Sequence, residues 1–293
     1  MQAEISAFLA SLESQSSYSR STRLAYGTDL WLFFNHLGET LQRPPTLADL
    51  NTQNIADFLE AERRNGLRLS TLLRRRASLK SFERYLIQKG YIQGNLTLPG
   101  LSVIDKSRFN PQEQTQCLTP QEINVLKNEL SASKKPLAVR DFAILVLLLE
   151  TGLAVSNLVA LDLTDIDLYS GCFHLTPTQD QDMWLSMGES REPIQTYIED
   201  SRPELNPAHG EPALFISQNG IRMSRQSIWQ ILHNLGKSTR LPVKVSPRLI
   251  RHTAALNMSR DGRPISEIQR LLGHSNPMST NALLHRLAIH NPI

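Results

Sequence analysis

Two arginines and a histidine near the C-terminus are the residues of this chain best placed to act together: Arg248 and Arg251 in SPRLIRH, and His274 at the end of QRLLGH. A guanidinium is a planar fork of donors that matches phosphate oxygens, and a histidine adds one donor more, so their shared chemistry would be the binding of an oxyanion. The i, i+3 spacing of Arg248 and Arg251 puts both on one face if the segment is helical. A helix is what the segment predicts, since Ser246 is a good N-cap and Pro247 suits the first helical position. Gly273 terminates a second helix and leaves His274 just past its end. Asn276-Pro277 then breaks the chain before Ser279 or Thr280 opens a third. An arginine on a helix is ordinarily solvated or ion-paired, and a histidine after Leu-Leu-Gly is ordinarily a helix end. The trio alone is not a site.

A second concentration of charge lies within 63–89, where Arg63, Arg64, Arg68, Arg74, Arg75, Arg76, Lys80, Arg84 and Lys89 are opposed inside the run only by Glu83. Apolar positions at Leu72, Leu73, Leu79, Phe82, Leu86 and Ile87 leave Arg76 and Lys80 together on an exposed face. Such a run is ordinarily a solvated face. Its one-sided excess points instead to phosphates, with Arg74, Arg75, Arg76 and Lys80 as the expected contacts. Arg20 and Arg23 in SYSRSTR stand where a helix begins, a place that favours anions. Arg225 stands in the first turn of a later helix, against the helix dipole. Capping and surface chance are the plain alternatives for these three.

The elements that must carry these residues are mostly helical. Apolar spacing predicts helices over 2–14, 19–37, 51–64 and 70–89, then over 120–130, 136–149, 155–161, 194–199 and 224–237. Thr119-Pro-Gln-Glu122 reads as a capping box with proline at the first helical position. Alternating patterns at 165–168, 172–175 and 184–187 predict a small antiparallel sheet, and Leu214 to Ser217 before Asn219-Gly220 a strand beside a turn. Residues 95–116 lack periodicity and read as a linker. The expected organisation is a helical domain over 1–94, that linker, and a mixed domain over 117–293. A length of 293 residues suits two domains.

Net charge is only +3, so the distribution of charge must argue for nucleic acid rather than its total. Cys117 and Cys172 are far apart with no metal-ligand spacing, which fits a reducing cytosol. The N-terminus lacks the basic start and apolar core of a secretory signal. The longest apolar run, residues 142–149, is too short for a membrane span and reads as a buried helix. No metal, cofactor or membrane is called for, and a bacterial cytoplasmic, nucleoid-associated location is expected.

RLIRH, then LLGHSNPMSTNALLHRL, with PLAVRDFAILVLLLETGLAVSNLVALDLTDIDLYSG at 136–171 and MSRQSIW at 223–229, resembles the tyrosine recombinase/integrase family. The bacterial Xer recombinases are the nearest branch. The resemblance implies a mainly α fold: an N-terminal SAM-like core-binding domain that clamps duplex DNA, and a C-terminal recombinase-type α/β domain with a small antiparallel sheet. It also implies a tyrosine that attacks a DNA phosphodiester, cations on the nonbridging oxygens, and an acid for the departing 5′-oxygen. Laid on this sequence, the family pattern keeps an arginine at Arg251 and a histidine at His274. Its first arginine falls on Ala154, and the acidic or polar residue after it on Asn157. Its hairpin lysine falls near Thr178 and its preceding histidine on Arg248. The nucleophile falls on Leu283. The tyrosines are Tyr18, Tyr26, Tyr85, Tyr91, Tyr169 and Tyr197, none near the C-terminus. Ser279 and Thr280 could be proposed as replacements, but no neighbouring base is evident in the sequence.

The expectation is therefore a recombinase fold that binds double-stranded DNA through Arg20, Arg23, Arg74, Arg75, Arg76, Lys80, Arg225, Arg248, Arg251 and His274, without cleaving it. Two alternatives stay open. One is an active subunit completed by a partner recombinase or by self-association on DNA; the other is an interaction module that has lost DNA binding. The tail HRLAIHNPI is short for the subunit-docking helix the resemblance implies.

Overall fold

The structure, a computed structural model, describes residues 2–13, 18, 20–93, 116–175, 183–274 and 276–291. The chain divides into two compact units, Met1–Phe109 and Asn110–Ile293. The expected linker over 95–116 lies outside the described residues, Gln116 excepted, and so does Thr178.

The first unit consists of α1 (Gln2–Glu13), α2 (Arg20–Leu41), α3 (Thr52–Arg64) and α4 (Leu69–Gln88). Asn51 caps α3 by accepting from the Asn54 amide, one of the orphan donors of a helix start. Phe8, Phe33, Phe34, Phe58 and Phe82 form an aromatic core with tilted and edge-on rings, joined by Leu30, Ile55, Leu72, Leu79 and Leu86.

The second unit begins with α5 (Pro120–Ser131), α6 (Pro136–Thr151) and α7 (Val155–Ala160). The capping box at Thr119 and Glu122 is formed. Helix α6 is the buried helix the apolar run predicts, and residues 143–148 are all core. Strands β1 (Ile166–Asp167), β2 (Cys172–Leu175) and β3 (Met183–Ser186) make one antiparallel sheet, with Phe173 opposite Leu185. Next come α8 (Arg191–Thr196), a π-type turn over Tyr197–Ser201, and α9 (Arg202–Glu204). Tyr197 is fully buried and its hydroxyl accepts from the Ile216 amide. The strand expected at Leu214 to Ser217 is not formed. Only isolated bridges occur there, Ile216 with Arg222 and Asp162 with Ala213, because Arg202 and Tyr197 take up backbone groups of this segment. Helices α10 (Arg225–Ser238), α11 (Pro247–Arg260), α12 (Ile265–Leu272) and α13 (Pro277–His290) complete the chain. No described helix is long and apolar enough to cross a membrane.

Candidate nucleic-acid interface and phosphate pocket

Two glycine-terminated helices meet at Arg251. Gly152, at φ 62°, closes α6, and Gly273, at φ 61°, closes α12. Both take the left-handed conformation that glycine reaches without a Cβ penalty. A Cβ at Gly152 would lie 3.0 Å from Leu272 Cδ2 and 3.3 Å from Ala254 Cβ, so the turn also needs glycine to pack on α11 and α12. Arg251 donates from Nη1 to the Gly152 carbonyl at 3.1 Å and from Nη2 to the Leu272 carbonyl. Carbonyls at helix C-termini lack intrahelical donors and carry partial negative charge, so a guanidinium between two of them is favourable. Burial lowers the Arg251 pKa. The guanidinium has five donors, so the two carbonyl bonds do not exhaust it.

Ser246 caps α11 by accepting from the Leu249 amide, and α11 then sends its residues two ways. Arg248 is exposed, whereas Arg251 is half-buried and His252 buried. Burial, with Arg248, Arg251 and Arg286 adding repulsion, pushes the His252 pKa down to about 4. His274 follows Leu272 and Gly273, and its Nδ1 lies 2.9 Å from Thr280 Oγ1. Burial, then Arg251, lowers the His274 pKa. Both histidines are thereby biased to the neutral form beside cations.

The surroundings of Thr280 correct one expectation. A base does neighbour this hydroxyl, namely His274, which the sequence does not reveal because the chain turns through Asn276-Pro277 between them. Thr280 is fully buried, however, and serves as the partner that orients the imidazole. Leu283, three residues on, joins Leu284 and Leu287 in the core. Ala154 caps α7 without a side-chain hydrogen bond, two residues past the carbonyl held by Arg251. Arg251, His274 and the turn bearing Ala154 are thus brought together.

The run on α4 is not one exposed face. Arg75 is buried; it pairs with Glu62 and lies 3.6 Å from Asp29. Arg74 pairs with Asp29, which is itself buried. Burial raises the Asp29 pKa despite both arginines, and burial likewise lowers that of Arg75. Further out, Glu60 pairs with Arg63 and Arg64. The carboxylates come from α2 and α3, which a count along the run overlooks. Arg75 is therefore not a phosphate-facing cation, and Arg74 has a prior partner. Arg23 is likewise engaged, 3.0 Å from Glu13 on α1, while exposed Arg20 lines with it a cleft between α1 and α2.

What α4 does present is a groove of about 420 Å³ against the start of α2, lined by Tyr18, Tyr26, Arg76, Lys80, Ser81 and Arg84. Arg76 Nε is buried there with no hydrogen-bond partner among the described residues. Lys80 reaches Glu83 at 2.8 Å. Arg84 and the two tyrosines were not among the expected contacts; Arg84 follows Arg76 and Lys80 at four-residue steps, which is the signal that marks it.

A larger omission lies in the second unit. From residue 212 to 260 the sequence has no aspartate or glutamate, and beside the expected Arg225, Arg248 and Arg251 it contains Lys237, Arg240, Lys244 and Arg260, with Arg222 drawn to Asp162. The cations there are spaced widely, so no short run announces them. Among the described residues no group of three or more His, Cys, Asp or Glu side chains is placed to hold a metal.

The model of the phage integrase family matches residues 116–288, and that of the phage integrase N-terminal SAM-like domain matches residues 5–90. Tyrosine recombinase XerC of Herpetosiphon aurantiacus is 30% identical over 287 residues, covering 97% of this chain and 91% of the relative. Tyrosine recombinase XerD of Listeria innocua is 28% identical over 286 residues, covering 95% of this chain and 92% of the relative. Among solved structures, the Tn1549 transposon integrase in complex with circular intermediate DNA aligns with a TM-score of 0.75 at 19% identity. That alignment covers 96% of this chain and 94% of the integrase, a likeness of fold.

Proposed function

This chain belongs to the phage integrase family and is a Xer-like tyrosine recombinase by descent; from that premise we propose that it binds duplex DNA and holds a backbone phosphate without cleaving it. The observation that carries this reading is Leu283, a core residue of α13 at the position the family gives to its nucleophile. Leucine has no oxygen to attack with, and the neighbouring Thr280 hydroxyl is buried against His274. The family pattern puts its first arginine on Ala154 and its hairpin lysine near Thr178, and such groups act as a unit. The retained Arg251 and His274, with Arg248, hold the phosphate. On the first unit the DNA contacts are Arg76, Lys80 and Arg84 in the groove on α4 and Arg20 in the cleft between α1 and α2, and on the second Arg225 opens α10. The role in the cell is participation in, or regulation of, site-specific recombination or integration.

A nicked suicide duplex that traps covalent protein–DNA adducts tests the reading. The unaltered chain should bind the duplex and give no adduct, and Leu283→Tyr alone should give none. An adduct from the unaltered chain would overturn the proposal. One that forms only with an added active recombinase would favour a subunit completed by its partner. Cleavage by Leu283→Tyr alone would mean that the other catalytic positions are misassigned here.

A further inference from the structure

The outer face of α2 carries apolar groups that DNA binding does not use. Arg20, Leu24, Gly27 and Trp31 recur at steps of four, three and four residues, which on a helix makes one stripe. Two of them are large apolar side chains left in solvent, Trp31 at 58% and Leu24 at 65% exposure. The N-terminal part of the same stripe is a hole. A cleft of about 430 Å³ opens there between α1 and α2, lined by Leu9, Arg20, Leu24, Gly27 and Thr28. Gly27 keeps its floor clear, since a Cβ there would stand 3.1 Å from Leu9 Cδ1. Arg23 and Glu13, paired at 3.0 Å, also line the cleft and neutralise each other. Thr28 donates from its hydroxyl to the Leu24 carbonyl at 3.0 Å, so covering it strands no donor. Among the described residues Arg20 is paired with no carboxylate.

We propose that, away from DNA, two copies of this chain pair through this face, with α2 antiparallel to its counterpart and Trp31 of each copy seated in the cleft of the other. The spacing along the helix carries the geometry. Trp31 lies about five residues from the middle of the cleft, or about 7.5 Å at 1.5 Å per residue. A twofold axis midway, beside Thr28, therefore brings knob to hole in both copies at once. Such an isologous contact needs a surface complementary to itself, and here both halves lie on one stripe of one helix. The indole would cover Leu9 and Leu24 of the other copy and offer its ring face to that copy's Arg20 guanidinium. The missing side chain at Gly27 is what leaves room for it. DNA is the poorer occupant of this face. The stripe offers phosphates a single unpaired cation, Arg20, whereas exposed Trp31 and Leu24 gain nothing from phosphate oxygens and supply the apolar anchor that a protein contact requires. The pairing covers Arg20, one of the proposed DNA contacts, so the dimer is a DNA-free form of the chain.

Sedimentation equilibrium of the full chain without DNA tests the pairing, so the result does not depend on whether the chain binds duplex. A contact of this extent belongs to the small, transient class, and the dimer should dissociate with a constant on the order of 10 µM. Trp31→Ser removes both knobs, and Thr28→Arg sets two like charges beside the axis. Each should weaken pairing by roughly 100-fold or more, since every substitution counts twice in a twofold contact. Both residues are exposed, and circular dichroism verifies the fold of each variant. In a Trp184→Phe, Trp229→Phe background, Trp31 emission should be shielded from iodide in concentrated protein and quenched on dilution. A chain that stays monomeric up to about 100 µM would overturn the proposal. So would a dimer that both variants leave intact, because it would use another face. If the chain is monomeric and Trp31 is shielded only when duplex is added, the face belongs to DNA and the pairing is wrong.

Discussion

On α4, two cations of a crowded run lie against carboxylates from other helices; on α10 and in the segment after it, cations that are scattered in sequence have no carboxylates near them in the chain. Arg74 and Arg75 reach Asp29 and Glu62, so two charges of the densest run belong to the interior of their own unit. Arg225, Lys237, Arg240 and Lys244 come from a stretch in which no acid exists to meet them. The difference lies in where a partner can come from. A helix face is one side of a packing contact, and the neighbouring helices decide whether its charges are neutralised. Density along the chain does not tell which cations stay unpaired, and a stretch free of acids does not either, since Arg222 within it reaches Asp162.

The sharpest way to break this contrast is Arg75→Ala, which leaves Asp29 and Glu62 short of a buried partner. It should lower the stability of the first unit by about 3 kcal/mol, while Arg225→Ala should stay within about 0.5 kcal/mol. Urea midpoints decide it, and equal values for the two variants would erase the distinction. An effect of similar size should appear in acid. The His252 pKa falls from 6.5 to about 4 on folding, so between these values the unfolded chain holds a proton that the folded chain does not. The stability contributed is complete above about pH 6.5 and lost as the pH falls towards 4, by roughly 3 kcal/mol in all. A flat stability profile over that window would mean that His252 is not held neutral.

Binding should respond less than stability does. Arg251→Ala should weaken duplex binding by roughly 1.5–3 kcal/mol, the range for a charge-assisted hydrogen bond. It also frees the Gly152 and Leu272 carbonyls, so Arg251→Lys is the informative companion, since lysine keeps the charge but cannot bridge both carbonyls. Should both variants lose stability and keep full affinity, Arg251 would be a helix tether only. The smallest change belongs to the groove on α4. Arg76→Ala with Arg84→Ala should reduce the salt slope by about 0.9 per residue and leave stability almost unaltered. No change in slope would make that groove a solvated face.

Much of the architecture could be read from local pattern. The caps expected at Thr119 and Ser246 form, because each needs only a side-chain oxygen and an amide three residues away. The apolar run at 142–149 announces a buried helix, and alternation announces the three-stranded sheet. The segment after Leu214 failed to become a strand because Tyr197 and Arg202, distant in sequence, take up backbone groups there. At the candidate site, the family resemblance points to Arg251, His274, Ala154 and Leu283. That Arg251 is tied to two helix ends, and that Thr280 orients His274, was not.

By itself the sequence determined which residues are present to do chemistry. No hydroxyl stands at residue 283, no acid between 212 and 260, and glycines stand at 152, 236 and 273 where a side chain would collide or strain the backbone. The tertiary structure alone decided which charges are available. Whether a cation meets solvent or a carboxylate depends on helices brought together from remote parts of the chain. Glu62 takes Arg75 inward, and Val245 on Gly236 sets Lys244 over Trp229; both follow from packing, which no local pattern encodes.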